Sequence, residues 1–175
     1  MSRLFIFWLA ALLCAANFLQ PFKAAAQACP LDKAYPFQLK DTLGKVVKLE
    51  DFEGKLLVMD FWFTGCKGCV QLADMLHHAV MPVFEGDTSV VFISVSVDIN
   101  FLQWKRSLLG GLYTSDKQVN LFTMGLGTMH PLFSHYRFSG CPQMLIINQD
   151  GMVISKSVAS NAKTLIDLIK QNKTR

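Results

Sequence analysis

The sequence predicts one α/β domain in which helices pack on a mixed β-sheet. Two apolar runs have the composition of buried strands, and an amphipathic segment follows the first of them. A hairpin pattern and a last helix pattern then complete an α/β sandwich. With 175 residues, of which 51% are hydrophobic and 17% charged, the chain is too apolar to be disordered and has the length of a single domain.

The segment Met1–Ala28 has the pattern of a secretory signal peptide. Arg3 precedes an apolar run over Leu4–Leu19, and small residues follow at Ala24–Ala28. The apolar run is short for a membrane span, which needs about 20 residues, although an uncleaved anchor is the alternative. We therefore predict a removable leader, a mature domain at 29–175, and export to the periplasm or another compartment that permits disulfides. A membrane is a partner only through an uncleaved leader.

The charge of the chain excludes nucleic acid as a partner. The formal net charge is +4, and removal of Arg3 and Lys23 with the leader would lower it to about +2. A positive charge this weak and dispersed does not form the basic patch that binds phosphate backbones.

The first half of the mature chain predicts a hairpin, a buried strand and a helix. The turn Asp41–Gly44 leads into Val46–Leu49, which is the second arm of the hairpin. Leu56–Phe63 is a continuous apolar run broken only by Asp60, as in a strand that is buried on both faces. Cys69–Met81 carries apolar residues near a 3.6-residue period, and a proline follows its end.

The second half predicts one more buried strand, a hairpin and three helical segments. Ser89–Val97 is rich in β-branched and aromatic residues, as is typical of a strand. Asn100–Leu109 predicts a helix that two glycines end, and Pro131–Tyr136 predicts a short helical turn. Met144–Asn148 and Met152–Val158 predict the two strands of a hairpin around an Asp-Gly turn. A last helix is predicted from its cap Asn161 through Gln171.

Two cysteines, Cys66 and Cys69, lie between the first buried strand and the helix after it. Unpaired N–H groups and the dipole at a helix N-terminus stabilise a thiolate at Cys66, and Lys67 adds a nearby positive charge. Cys69 lies one turn deeper on the same face, where it is more shielded but close enough to form a disulfide. This asymmetry predicts an attacking thiol and a resolving thiol. The alternative is an inert structural disulfide, but the loop that it closes is too short to stabilise the fold much.

Further residues outside the Cys66–Cys69 motif belong to the same sequence pattern. Asp60 lies six residues before Cys66, Trp62 lies between them, and Cys141-Pro142 precedes a predicted strand and an Asp-Gly turn. Together with the Cys66–Cys69 motif, these residues resemble the thioredoxin superfamily. The leader, the opening hairpin, Gly54-Lys55, and the additional strand and helix after the motif are similar to the exported thiol-disulfide oxidoreductases of the TlpA/ResA-like, or redoxin, group.

This resemblance implies a thioredoxin-like sandwich: a central mixed sheet flanked by helices, with an N-terminal β-hairpin and an extra strand–helix insertion. It also implies that the protein exchanges its disulfide with protein thiols or disulfides and with an upstream electron donor or acceptor. Cys66 would be the nucleophile, Cys69 the resolving thiol and Pro142 the cis-proline beside the active-site sulfur. No cofactor is expected beyond the redox-active disulfide, and the sequence leaves the direction of exchange open.

Asp60 has two interpretations as a carboxyl group within a buried strand. Burial would raise its pKa and suit it to take the proton from Cys69. Alternatively, Asp60 is an acid whose hydrogen bonds are satisfied at the end of the strand. The sequence alone does not choose between a catalytic and a structural carboxyl.

Substrate contacts are expected from Trp62, Lys67, Gly68 and Cys141, which flank the two cysteines or Pro142. Trp62 is also expected in the core. Gly68 stands where many relatives carry proline, and Cys141 where threonine, isoleucine or valine is more usual. Cys141 has three interpretations: a thiol near the site, a small apolar filler, or the disulfide partner of Cys29.

Two alternative functions use the same fold. Phe63–Cys66 followed by Cys69 and a downstream histidine is similar to the Sco-type copper metallochaperones, since thiolate and thioether ligands suit Cu(I). Those proteins space their cysteines more widely, and we predict no metal site. A peroxiredoxin-like peroxidase is the other alternative, but no proline precedes Thr64 as its motif requires. His77 and His78 are expected on a solvated helix face.

Overall fold

The computed structural model describes residues 32–173 of the chain. The predicted leader, its cleavage point and Cys29 lie outside these residues and stay predictions. Among the described residues, no helix combines the length and the apolar character that crossing a bilayer requires.

A mixed sheet of seven strands forms the centre of the fold. Its strands are β1 (Gln38–Asp41), β2 (Val46–Lys48), β3 (Leu56–Trp62), β4 (Val90–Ser96), β5 (Val119–Phe122), β6 (Gln143–Ile147) and β7 (Val153–Ser155). They lie in the order β2-β1-β5-β4-β3-β6-β7. Strands β3, β4 and β5 are parallel to one another, and every other pairing is antiparallel. The predicted α/β architecture with a mixed sheet and an opening hairpin is confirmed.

Four α-helices flank the sheet within residues 32–173. They are α1 (Lys67–Met75), α2 (Phe101–Gly110), α3 (Pro131–Tyr136) and α4 (Ala162–Asn172). The chain after α1 continues as a π-helical turn over Leu76–Val80 and a 3-10 turn over Met81–Phe84. The regular helix is therefore shorter than the predicted Cys69–Met81, although the helical course of this segment is confirmed.

Two strand boundaries differ from the sequence prediction, and one strand was not predicted. Strand β3 ends at Trp62, and Phe63, which was predicted within it, is 41% exposed in the loop that follows. Strand β7 is confined to Val153–Ser155, where it pairs with β6. Strand β5 was not predicted at all: Val119–Phe122 is short and follows a polar stretch. It is held by β4 on one side and β1 on the other.

Side chains of β3 alternate between the two faces of the sheet, as in any strand. Met59 and Phe61 pack in the core on the side of α3. Val58 packs instead against Leu72 of α1 and Ile169 of α4. Asp60 and Trp62, the last residue of β3, lie on the face of the sheet that α1 covers. The fold therefore places the carboxyl group of Asp60 on the same side of the sheet as the helix that begins beside Cys66.

The carboxyl ends of β3, β4 and β5 meet at one edge of the sheet because the three strands are parallel. The chain remains paired just beyond them: Val97 N–H donates to the Trp62 carbonyl at 2.8 Å, and Thr123 N–H donates to the Ser96 carbonyl at 3.2 Å. The loops that follow these strands therefore lie side by side. We call this end of the molecule the disulfide edge, since the loop after β3 leads directly into Cys66.

Candidate active site

The two motif cysteines form a disulfide at the N-terminus of α1, with their Cα atoms 5.3 Å apart. Cys66 is the residue that caps the helix, and its Sγ accepts a hydrogen bond from Cys69 N–H at 3.1 Å. Cys66 is 7% exposed and Cys69 3% exposed. Cys66 is thus the more accessible sulfur, but the difference in the disulfide form is small. The neighbouring Lys67 is exposed.

The loop before Cys66 is held by two residues that the sequence analysis did not identify. Thr64 donates to the Asp98 carboxylate from its N–H at 2.9 Å and from its hydroxyl at 2.8 Å. Gly65 N–H donates to the Tyr113 hydroxyl at 2.8 Å. Gly65 has a φ of +99°, a conformation that favours glycine. Because Asp98 follows β4 and Tyr113 follows α2, the position of the nucleophile depends on two distant segments.

Trp62 is a core residue that supports this loop from beneath. Its ring stacks on Tyr113, with ring centroids 4.7 Å apart and planes 2° from parallel. Its Nε1 donates to the Ser94 hydroxyl at 2.7 Å. Only 1% of Trp62 is exposed, so its expected place in the core is confirmed, while its contact with a substrate stays a prediction. Trp62 faces inward because it is the last residue of β3 and lies on the face that α1 covers.

Asp60 is buried on the same face and is held by neutral hydrogen-bond donors. Gln118 Nε2 donates to Oδ1 at 3.0 Å, and the Ser94 hydroxyl donates to Oδ2 at 3.3 Å. Burial raises the pKa of Asp60 to about 7, although these two hydrogen bonds act in the opposite direction. No Lys or Arg among residues 32–173 forms an ion pair with it. Asp60 can therefore take up or release a proton near neutral pH.

Gln118 links the buried carboxyl of Asp60 to a histidine near the surface. It is itself buried, and its Oε1 lies 2.8 Å from His77 Nε2 and 3.2 Å from the Thr114 hydroxyl. His77 is half-buried, which corrects its predicted place on a solvated helix face, because it packs beside Gln118. His78 is exposed as predicted, near Asp74. Sequence reasoning missed Gln118 because no spacing pattern connects it to Asp60.

Pro142 lies against the backbone between the two cysteines. The Cys141–Pro142 peptide bond is cis. A Cβ atom added to Gly68 would lie 3.2 Å from Pro142 Cδ, so the proline ring occupies the space that a side chain would need. Cys141 is partly buried and packs against the cluster that contains Cys66 and Cys69. The fold thus brings together the motif and the Cys141-Pro142 pair, as the sequence suggested.

Cys141 is a free thiol in the structure, whereas its alternative partner Cys29 lies outside the described residues. Burial raises the pKa of the Cys141 thiol to about 12, and the negative charges of Asp60 and Asp98 contribute to the rise. A thiol reacts through its thiolate. Cys141 is therefore a poor nucleophile at neutral pH despite its place beside the disulfide.

We expect Cys141 to resist alkylation by iodoacetamide in the folded, oxidised protein at about pH 8, since roughly one molecule in 10⁴ would carry the thiolate. Timed alkylation followed by peptide mass spectrometry measures this. The same protein in guanidinium chloride is the control, because an exposed thiol has a pKa of about 8.5 and reacts readily. Modification of Cys141 at equal rates in the folded and unfolded protein would show that its thiol is not shielded.

The described residues contain no group of three or more His, Cys, Asp or Glu side chains arranged to hold a metal ion. His130 is buried at the start of α3, where its Nδ1 accepts from Leu132 N–H at 3.3 Å. The copper alternative needs a further ligand beside the two cysteines, and the thiol that packs there is Cys141.

Comparison with known proteins agrees with this geometry. A family model described as thioredoxin-like matches residues 54–153. The thiol-disulfide oxidoreductase ResA of Bacillus cereus is 24% identical over 150 residues, which cover 85% of this chain and 81% of the relative.

Two solved structures share the fold. The thioredoxin domain of a thiol-disulfide oxidoreductase from Bacteroides vulgatus superposes with a TM-score of 0.67 at 20% identity, over 82% of this chain and 96% of that one. A thiol:disulfide interchange protein from Bacteroides sp. gives a TM-score of 0.65 at 23% identity, over 83% and 90%. The resemblance inferred from the motif is confirmed: the chain belongs to the thioredoxin-like family, and it is a thiol-disulfide oxidoreductase similar to ResA.

Proposed function

We propose that this thiol-disulfide oxidoreductase works outside the cytoplasm and exchanges its Cys66–Cys69 disulfide with the thiols and disulfides of other proteins. The observation that carries the proposal is the disulfide at the start of α1, with Pro142 against its intervening backbone. Export is inferred from the leader pattern in Met1–Ala28. The same compartment allows the substrate proteins to contain disulfides.

In the reducing direction, the reaction begins with the thiolate of Cys66. This thiolate attacks one sulfur of a substrate disulfide, so that a bond forms between Cys66 and that sulfur. The second substrate sulfur leaves as a thiolate and takes a proton from solvent. The N–H groups at the start of α1 favour the thiolate of Cys66, because they present partial positive charge to it.

The second step releases the substrate. The Asp60 carboxylate accepts the proton of the Cys69 thiol, and the resulting thiolate attacks Cys66 Sγ. The Cys66–Cys69 disulfide forms, and the remaining substrate sulfur leaves as a thiolate. Two electrons have then passed from the protein to the substrate. The same steps in reverse oxidise a substrate dithiol, and an upstream donor or acceptor restores the starting state.

The reduction potential of the Cys66–Cys69 pair decides the direction. A value near that of thioredoxin, about −270 mV, would indicate a reductase, and a value near that of DsbA, about −120 mV, would indicate an oxidant. Equilibration with glutathione or dithiothreitol buffers, followed by alkylation and mass spectrometry, measures it.

Reduction of insulin disulfides in the presence of dithiothreitol tests the activity itself. We expect the wild-type protein to accelerate the reaction and a Cys66→Ser protein to give the uncatalysed rate. The copper alternative would be favoured instead by tightly bound, stoichiometric Cu(I) that survives a chelator while insulin reduction is absent. Rapid thiol-dependent consumption of hydrogen peroxide would favour the peroxidase.

A further inference from the structure

Exposed apolar side chains are concentrated at the disulfide edge. They occupy the loops that directly follow β3, β4 and β5 and the first residue of α2. Neighbouring strands in a sheet are only about 5 Å apart, so these loops begin close together. The loops also touch, because a Cβ added to Gly127 would lie 3.5 Å from Ile99 Cγ1 and one added to Gly125 would lie 3.1 Å from the Ile99 carbonyl oxygen. We call these residues the apolar rim: Phe63, Ile99, Phe101, Met124 and Leu126.

A cleft of about 530 Å³ opens next to the loop that precedes Cys66. Thr64 of that loop and Tyr113, which holds it, line the cleft together with Arg106 of α2. The Thr64 and Ser107 hydroxyls are 2.7 Å apart, so α2 lies directly against the loop. Arg106 is exposed and forms no salt bridge with any residue in 32–173. An unpaired guanidinium therefore lines a cleft that begins two residues before the nucleophile.

The exposed charged side chains in the segments that form the disulfide edge are all positive. The segments 61–73, 99–115 and 123–142 contain no Asp or Glu, whereas they carry exposed cations at Lys67, Arg106 and Arg137. Asp98 is the nearby carboxylate, but it is buried and accepts hydrogen bonds from Thr64 and Ser96. The surface around the disulfide thus combines exposed apolar groups with uncompensated positive charge.

We propose that the apolar rim and the Arg106 cleft bind the segment of a substrate protein that flanks its reactive cysteine, and that they favour a segment with apolar and acidic side chains. The inference rests on the proposed function, since a substrate sulfur that reaches Cys66 must bring its flanking residues over this surface. Covering the rim removes apolar area from water. A substrate carboxylate in the cleft forms a planar, two-bond contact with the guanidinium of Arg106.

Peptide disulfides with different flanking residues provide the test. Three peptides carry a cysteine, linked to 2-mercaptoethanol, between leucine and glutamate, between leucine and lysine, or between serines. Each second-order rate constant with reduced protein is divided by the constant for bis(2-hydroxyethyl) disulfide, an uncharged reagent that reports sulfur chemistry alone. We expect the leucine–glutamate peptide to react about tenfold faster than the leucine–lysine peptide, and the ratio to fall as salt is added.

Two variants separate the charge from the apolar contact. Arg106→Glu is expected to abolish or reverse the preference for the acidic peptide, because attraction is replaced by repulsion. Ile99→Ser is expected to lower the normalised rate of both leucine peptides but not that of the serine peptide. Leu43→Ser is the matched control, since Leu43 is 90% exposed against 79% for Ile99 and lies in the turn after β1, toward the opposite end of the sheet.

The possible failures are distinguishable. Equal normalised rates for all three peptides would overturn the docking proposal while the proposed function stands. Failure of the wild-type protein to react with bis(2-hydroxyethyl) disulfide would overturn the proposed function itself. A third outcome is that the protein sediments with phosphatidylglycerol vesicles, that Ile99→Ser abolishes this binding, and that no peptide is preferred. This outcome would assign the surface to a membrane and overturn the substrate site.

Discussion

Cys69→Ser is expected to hold substrate proteins as mixed disulfides, and Cys66→Ser is expected to lose exchange by a factor on the order of 10³ or more. The reason is the order of the two sulfurs. Cys66 caps α1 and is the more exposed sulfur, whereas Cys69 lies behind it within the core. Without Cys66 no mixed disulfide forms, and without Cys69 nothing within the motif releases one.

Non-reducing electrophoresis and mass spectrometry of the adducts measure this trapping. A protein with both Cys66→Ser and Cys69→Ser is the control and should trap nothing. A second thiol near the site, Cys141, is expected not to replace Cys69, because its pKa is raised to about 12 by burial and nearby negative charge. Full multiple-turnover activity in Cys69→Ser would contradict the dithiol mechanism.

Asp60→Asn is expected to stabilise the oxidised protein at about pH 8 and to have little effect at about pH 4. An exposed aspartate has a pKa of about 3.9, and burial raises the value for Asp60 to about 7 in the folded protein. The folded state therefore keeps a proton that the unfolded state releases, so stability falls as pH rises between these two values. Asparagine cannot ionise and removes this cost.

The expected increase in the free energy of unfolding of Asp60→Asn has an upper limit of about 4 kcal/mol, from three pKa units at 1.36 kcal/mol each. Urea unfolding at several pH values measures it. Asp98→Asn is a matched control: that carboxylate accepts three hydrogen bonds from Thr64 and Ser96, so the amide should lower stability. A constant difference between Asp60→Asn and wild type across pH would contradict the raised pKa.

The same Asp60→Asn protein tests proton transfer. Loss of a general base slows a step by about 10² or more, so resolution of the mixed disulfide should slow by about that factor while the first attack by Cys66 is nearly unaffected. Stopped-flow measurement of the two phases separates these steps. An unchanged resolution rate would leave Asp60 as a structural acid.

Much of the fold was predictable because its central strands have a clear apolar pattern in the sequence. β3 and β4 are predominantly apolar, since both of their faces are covered. The start of α1 was predictable from the two cysteines and the amphipathic pattern that follows. The place of Cys141-Pro142 beside the motif came from the family resemblance and not from any local pattern.

The parts that were missed depend on long-range contacts. Strand β5 has four residues and little pattern of its own, and it exists because β4 and β1 both pair with it. Gln118 precedes β5 and reaches Asp60 from 58 residues away. Tyr113 and Asp98 reach the loop before Cys66 from 48 and 34 residues away. Because β5 was not predicted, Gln118 just before it was not recognised as one of the polar residues of the site.

Both outer strands of the sheet are short, with three residues each in β2 and β7, while the inner strands β3 and β4 have seven. A lysine lies at each outer position, Lys48 in β2 and Lys156 just after β7. Few backbone groups are thus open to an added strand, and solvated lysines oppose its approach. The two sides of the sheet are therefore poorly suited to pair with a further strand, whether that strand belongs to a second copy of this chain or to another protein.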